Sequence, residues 1–171
     1  MRIFVVGTGR CGTVTFSKAC AHIENYTVGH ESHAGRVGDF DYSDDHIEVD
    51  SRLVECLAHL IERYPDAMFV HLMRERDACI ASMASRKTQN VYCRLHFDAD
   101  PDRQRAAEVR YFEYNRRIQI MIPKAYVMWL ESAQTMWPDF WSTIKAEGDF
   151  DASRAEWDIK YNATKSEGES R

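Results

Sequence analysis

The sequence predicts an α/β fold, a three-layer α/β/α arrangement around a central parallel sheet. Three observations lead there. Short apolar runs of strand length alternate with helical stretches along the chain. The first of these runs ends in a glycine-containing segment that leads into a helix. The composition, 44% hydrophobic and 29% charged with eight Gly and four Pro in 171 residues, is that of a globular chain rather than a disordered or fibrous one.

The elements follow in order. Residues 2–6 (Arg-Ile-Phe-Val-Val) form a buried-strand run ending at Gly7, and Val14, Phe16, Cys20 and Ile23 then recur at helical spacing. Tyr26-Thr-Val28 makes a short second strand, completing a β-α-β unit. Residues 29–45 are polar and too long for an idle connection, which marks a working loop. Residues 47–49 form a brief strand. Asp50 or Ser51 then caps a helix with its apolar stripe at Leu53, Val54, Leu57, Leu60, Ile61 and Tyr64. Residues 67–72 read as a buried strand followed by a helix over 77–87 with Asp77 as its cap. Asp100 caps and Pro101 opens a long helix to about Ile122, carrying Ala107, Tyr111, Tyr114, Ile118 and Met121 on one side. Its other side, Arg103, Arg110, Glu113 and Arg117, reads as a solvated face. Residues 126–130 give a fourth full strand. Pro138 splits the aromatic stretch after it, at the first turn of a second short helix. Trp157, Ile159 and Tyr161 are expected to pack back, and 162–171 to form a flexible tail of a single domain spanning 1–171.

Composition also excludes classes of function. A net charge of −5 argues against a nucleic-acid polymer or an anionic membrane as partner, because both require a basic surface. The longest apolar run near the N-terminus, Ile3 to Val6, is too short for a signal peptide or a membrane span. Five irregularly spaced cysteines without a C-x-x-C pair suit reduced thiols and a cytoplasmic protein. Cys93-x-x-His96 and His30-x-x-His33 each lack a matching second pair, so no metal is expected.

The chemistry concentrates at Gly7-Thr8-Gly9-Arg10-Cys11-Gly12-Thr13, between the first strand and first helix, where backbone N–H groups and a helix N-terminus can converge on an anion. Three readings fit. As G-x-G-x-x-G it is a dinucleotide fingerprint, with Glu31 where a ribose-binding acid is expected. As G-x-x-x-x-G it is a Walker-type loop, but Thr13 and Val14 stand where Lys and Ser or Thr belong. The third uses Arg10 as the cation and Thr13 as the hydroxyl for a phosphosulfate.

Arg10-Cys-Gly-Thr13 resembles the 5′-phosphosulfate loop of sulfotransferases that use 3′-phosphoadenosine-5′-phosphosulfate (PAPS). Phe69-Val-His-Leu-Met-Arg74 with Ser82 eight positions later is similar to that family's 3′-phosphate site, and Tyr126-Val-Met-Trp-Leu-Glu131 to its late strand and acid. The resemblance spans about residues 3–145 and implies a P-loop NTPase-like fold. It also implies PAPS as donor, 3′,5′-ADP as product, and nucleotide contacts from Thr8, Gly9, Arg10, Cys11, Gly12, Thr13, Val14, Arg74 and Ser82. The departures are Cys11 in place of the usual Ser, and no late basic glycine-containing loop for the 3′-phosphate, for which Arg86 or Lys87 could substitute. Glu31 is the favoured base, with His30 and His33 as alternatives, and Arg10 is expected to stabilise charge on the leaving phosphate.

The acceptor is expected to be a small hydroxyl compound. The acidic segment Asp39-Phe-Asp-Tyr-Ser-Asp-Asp45, with Glu48 and Asp50, would repel a polyanion. Phe40 and Tyr42 could stack on a ring. The rival functions are an NADP-type reductase, a divergent nucleotide kinase and a non-catalytic nucleotide-binding domain; the reductase would need a substrate domain for which 171 residues leave no room.

Overall fold

The structure, a computed structural model, describes residues 1–32, 41–85 and 102–161. His33, Asp39, Phe40, Arg86, Lys87, Cys93, His96, the expected cap Asp100 with Pro101, and the tail 162–171 lie outside the described residues.

Five strands, β1 (Arg2–Gly7), β2 (Thr27–His30), β3 (His46–Val49), β4 (Met68–Met73) and β5 (Tyr126–Trp129), form an all-parallel sheet in the order β2-β3-β1-β4-β5. β1 is central, so Ile3 to Val6 are wholly buried, which is why the run is apolar without alternation. The brief strand expected at 47–49 is an interior one: Phe4 of β1 lies in register with Glu48 on one side and Phe69 on the other. β3 therefore separates β1 from β2, although β2 follows β1 in the chain.

Helices cover both faces. On one, α1 (Thr13–Cys20), α5 (Ala133–Thr143) and α6 (Phe150–Ala155) enclose an aromatic cluster in which Phe16 meets Trp137 edge-on at 5.4 Å and Trp157 closes over Trp137 at 5.2 Å. On the other, a 3-10 segment (Ser51–Cys56), α2 (Leu57–Arg63) and α4 (Arg103–Met121) bury Phe4, Val6, Leu53, Leu60, Tyr114 and Ile118. Beside them α3 (Arg76–Ala84) packs on α4 through Cys79, Ile80, Met83, Ala107 and Tyr111. Among the described residues no helix is long and apolar enough to cross a membrane.

Several local expectations change. Glu75, not Asp77, caps α3, its carboxylate accepting from the N–H groups of Asp77 and Ala78 at 3.0 and 2.7 Å; Asp77 pairs with Arg76 instead. Cap preferences favour Asp, but Glu75, two residues earlier, has a side chain long enough to reach the first free N–H groups of the helix. Asp102 caps α4 by accepting from Gln104 N–H at 2.9 Å. Asp50 caps the segment after β3. Pro138 lies inside a continuous α5 rather than splitting it. Its missing ladder bond costs about 3 kcal/mol. The fully buried Trp137 and Phe140, each contributing about 1.5–3 kcal/mol or more, hold the helix together. Trp157 packs into the core, whereas Ile159 is exposed.

A buried titratable group of the sheet faces α4. His71 of β4 is buried, and its Nε2 lies 2.8 Å from Asn115 Oδ1 on α4. Burial lowers its pKa below the ordinary 6.5, with the bond to Asn115 opposing. The unfolded chain therefore binds the proton more readily, so this group's stability is present above about pH 6.5 and is lost as pH falls. The melting temperature should drop between pH 7 and pH 5, and His71→Gln, which keeps a donor toward Asn115 without titrating, should flatten that slope. An unchanged slope would contradict the assignment.

Candidate functional site

All five strands run the same way, so the segments leaving β1, β2, β3, β4 and β5 emerge at one edge of the sheet. The glycine loop after β1, Glu31 after β2, Asp50 to Arg52 after β3, Arg74 after β4 and Glu131 after β5 share that edge.

The loop is held in conformations that favour glycine. Gly9 has φ 77° and Gly12, at the start of α1, φ 101°. Gly12 brings no side chain to cap α1, and the helix has no acidic residue in its first turn, so its first N–H groups face the loop without a side-chain acceptor. Gly12 also lies under Leu130: an added β-carbon would come within 2.6 Å of Leu130 Cδ1. Gly12→Ala should therefore destabilise the protein by about 1–2 kcal/mol, lowering the melting temperature by roughly 2–8 °C; no change would refute the left-handed turn. Thr13 and Val14 open α1 half-buried.

Two loop side chains turn away from any ligand. Thr8 is buried, its hydroxyl donating to Gly9 O at 3.0 Å and lying 3.3 Å from Cys79 Sγ. Cys11 is fully buried, and a β-carbon at Gly7 would lie 2.7 Å from its sulfur. Burial and the neighbouring Cys79 push the Cys11 thiol up to about 12, against the backbone N–H groups of Gly9, Cys11 and Thr8 that face it. Thr8 and Cys11 thus offer a ligand backbone only. The thiol fills the floor of the loop, where a serine hydroxyl would have been a donor.

The early loop and the mid-chain arginine do meet. Arg10, at φ 57°, donates from Nε to Ser82 Oγ at 3.0 Å, and Arg74 Nη1 donates to Arg10 O at 3.0 Å. The sequence paired Ser82 with Arg74 around one phosphate. In the structure Ser82 bonds Arg10 and Arg74 grips the loop backbone, which brings both to the loop. Arg74 is itself held from two sides: Tyr111 OH donates to its carbonyl at 3.2 Å, and Glu131 accepts from the N–H of Glu75 at 3.0 Å. Among the described residues Arg74 makes no ion pair.

Glu31 lies on the far side. β2 stands two strand positions from β1, roughly 10 Å, and Glu31, at φ 54°, follows it with its N–H donating to Val49 O. Arg52, bidentate to Asp50 at 2.7 and 2.9 Å, brings Nη2 to 3.8 Å from Glu31 Oε2. His30, the last residue of β2, is exposed.

Among the described residues the acidic groups of residues 41–50 do not gather beside the loop. Asp45 pairs with the N-terminal amine and Asp44 with Arg2 at 2.9 Å, and both precede β3, so they lie at the opposite end of the sheet from the loop. Glu48 is fully buried between His46 Nε2 at 3.1 Å and Ser32 N–H at 3.0 Å. Burial alone would raise its pKa; the bonds from His46 and Ser32 lower it instead. Asp50 is taken by Arg52. Tyr42 is a core ring, 5.1 Å from Phe4 and stacked on His46, and cannot meet a ligand. A cleft of about 380 Å³ lined by Arg2, Asp44, Arg63 and Tyr64 opens at that same far end, away from the loop.

Two residues at the site were not singled out in the sequence. Arg110, in the stripe read as solvated, is half-buried with its guanidinium 4.8 Å over the Tyr114 ring. A β-carbon at Gly9 would lie 3.7 Å from Arg110 Nη2 and 3.4 Å from Ser51 Oγ. The i, i+4 spacing of Arg110 and Tyr114 was the available signal. Arg117 of the same stripe pairs with Glu55 at 2.8 Å and is structural.

No family model matches the chain, and comparison with curated proteins finds no relative.

Proposed function

We propose that the protein is a PAPS-dependent sulfotransferase that transfers a sulfuryl group to a small hydroxyl-bearing acceptor. The observation that carries the reading is the direct contact of Arg10 with Ser82 and of Arg74 with Arg10. Residues separated by more than sixty positions are drawn to one glycine loop at the open end of a helix, which is the arrangement a doubly anionic adenosine nucleotide requires. On this reading the loop and Arg10 hold the phosphosulfate, Arg74 and Ser82 take the 3′-phosphate, and the fold is P-loop NTPase-like.

The loop and Glu31 stand roughly 10 Å apart at the strand ends, and on this reading a small acceptor lies over the end of β3 between them. Its hydroxyl oxygen attacks sulfur in line, its proton passes to the Glu31 carboxylate, and the sulfur–oxygen bond to the 5′-phosphate breaks, releasing 3′,5′-ADP. His30 and His33 are the other candidate bases. Arg10 and the loop amides stabilise the charge that builds on the leaving phosphate.

Against the dinucleotide alternative stands the strand order. In the dinucleotide-binding and flavodoxin-like orders β2 is the neighbour of β1; here β3 lies between them, so Glu31 stands one strand farther from the loop than a ribose-binding acid does. Titration with 3′,5′-ADP, NADP and ATP tests the reading: tightest binding of 3′,5′-ADP supports it, and preference for NADP or ATP overturns it.

A further inference from the structure

We propose that Ser51 and Arg110 form a second oxyanion corner of the glycine loop, one that holds the sulfuryl group being transferred rather than either nucleotide phosphate. The inference rests on the donor assignment above and adds two residues to it.

Both side chains approach the same point beside the Gly9 Cα, Ser51 Oγ at 3.4 Å and Arg110 Nη2 at 3.7 Å from an added β-carbon. They come from different elements: Ser51 begins the 3-10 segment after β3, and Arg110 lies in α4. Ser51 is 7% exposed, and its hydroxyl makes no hydrogen bond among the described residues. Its oxygen is not among the buried polar atoms that lack a partner, so it reaches solvent and is open to a ligand oxygen beside the loop. Arg110 is preset by the Tyr114 face beneath its guanidinium, so a cation stands beside that hydroxyl without a search over rotamers.

Position in the sheet decides which part of the donor this corner meets. Arg74 follows β4 and Ser82 lies in α3, on one side of the loop. Ser51 follows β3, on the other side, and its neighbour Arg52 stands 3.8 Å from Glu31. The corner therefore lies between the loop and the candidate base, where sulfur must sit to receive the acceptor oxygen. Its donors would bind sulfuryl oxygens as the bond to the acceptor forms and the bond to the phosphate breaks.

The test compares two ligands that differ only in the sulfuryl group. Ser51→Ala, and Arg110→Met, which keeps an apolar stem over Tyr114, are titrated calorimetrically with PAPS and with 3′,5′-ADP, with melting temperature and Arg110→Lys as checks on the fold. The expected result is PAPS affinity weaker by about tenfold or more in Arg110→Met, and by a smaller factor in Ser51→Ala, with 3′,5′-ADP affinity within about twofold of wild type in both. Equal weakening of both ligands would make the corner a phosphate site, and unchanged affinity for both would remove it; either overturns the inference while leaving the donor assignment intact. Wild-type protein that binds neither nucleotide overturns the donor assignment and this corner with it. Arg10→Ala, expected to weaken both ligands, separates the two failures.

Discussion

Replacing Glu31 with Gln is expected to lower sulfate transfer by roughly 10²–10⁴-fold while leaving 3′,5′-ADP affinity within about twofold of wild type. The amide keeps the size and the hydrogen-bonding reach of the carboxylate but cannot accept the acceptor's proton. Glu31 stands two strand positions from the loop and is not among the groups that touch Arg10, Arg74 or Ser82, so nucleotide binding should not sense the change. Its left-handed backbone, φ 54°, is kept by Gln as by Glu. Single-turnover transfer to a panel of small hydroxyl compounds, read beside calorimetry with 3′,5′-ADP, measures both halves. Turnover that survives would shift the base to His30 or His33.

Arg10→Ala and Arg74→Ala should each weaken 3′,5′-ADP binding by about 1.5–3 kcal/mol, roughly 10- to 150-fold, and their effects should not add. Arg74 donates to the backbone carbonyl of Arg10 and Arg10 donates to Ser82. Removing Arg74 frees the loop at a residue whose φ of 57° is costly without support, so part of what Arg10 contributes goes with it. A double-mutant cycle should give a coupling of about 0.5–3 kcal/mol. Additive losses would mean that the two arginines serve independent sites, and unchanged affinity in both single variants would refute the assigned nucleotide site.

The layer architecture and most elements were legible because burial writes itself into composition: Ile3 to Val6 and, apart from His71, residues 67–72 are apolar without alternation since both faces of β1 and β4 are covered. Strand order was not legible. Nothing in residues 26–49 states that the short run at 47–49 inserts between β1 and β2, because order is fixed by long-range pairing rather than by local pattern. That one fact moves Glu31 one strand farther from the loop than a β1-β2 pairing would have placed it.

At the site, the meeting of loop, Arg74 and Ser82 was implied by the resemblance of these segments to the sulfotransferase nucleotide site, but the partners were not. Which guanidinium takes Ser82 depends on the left-handed turn at Arg10, a conformation the residue type does not announce. Cys11 read as a weakened donor and proves to be a buried plug, because Gly7 leaves room for its sulfur beneath the loop. Arg110 was hidden by its own regularity: Arg103, Arg110 and Arg117 recur every seven residues and look equivalent. Only the packing of α4 against the loop end of β1 distinguishes the one over Gly9 from the one paired with Glu55.

The central claim is that the glycine loop and the Arg74 turn form one nucleotide site selective for a 3′-phosphorylated adenosine. Isothermal titration of the wild-type chain with 3′,5′-ADP against 5′-AMP tests it most directly. The claim predicts 3′,5′-ADP binding tighter by about tenfold or more, the contribution of the added phosphate at two charged or hydrogen-bonding side chains. Equal affinity for the two nucleotides, or no binding of either, would contradict it.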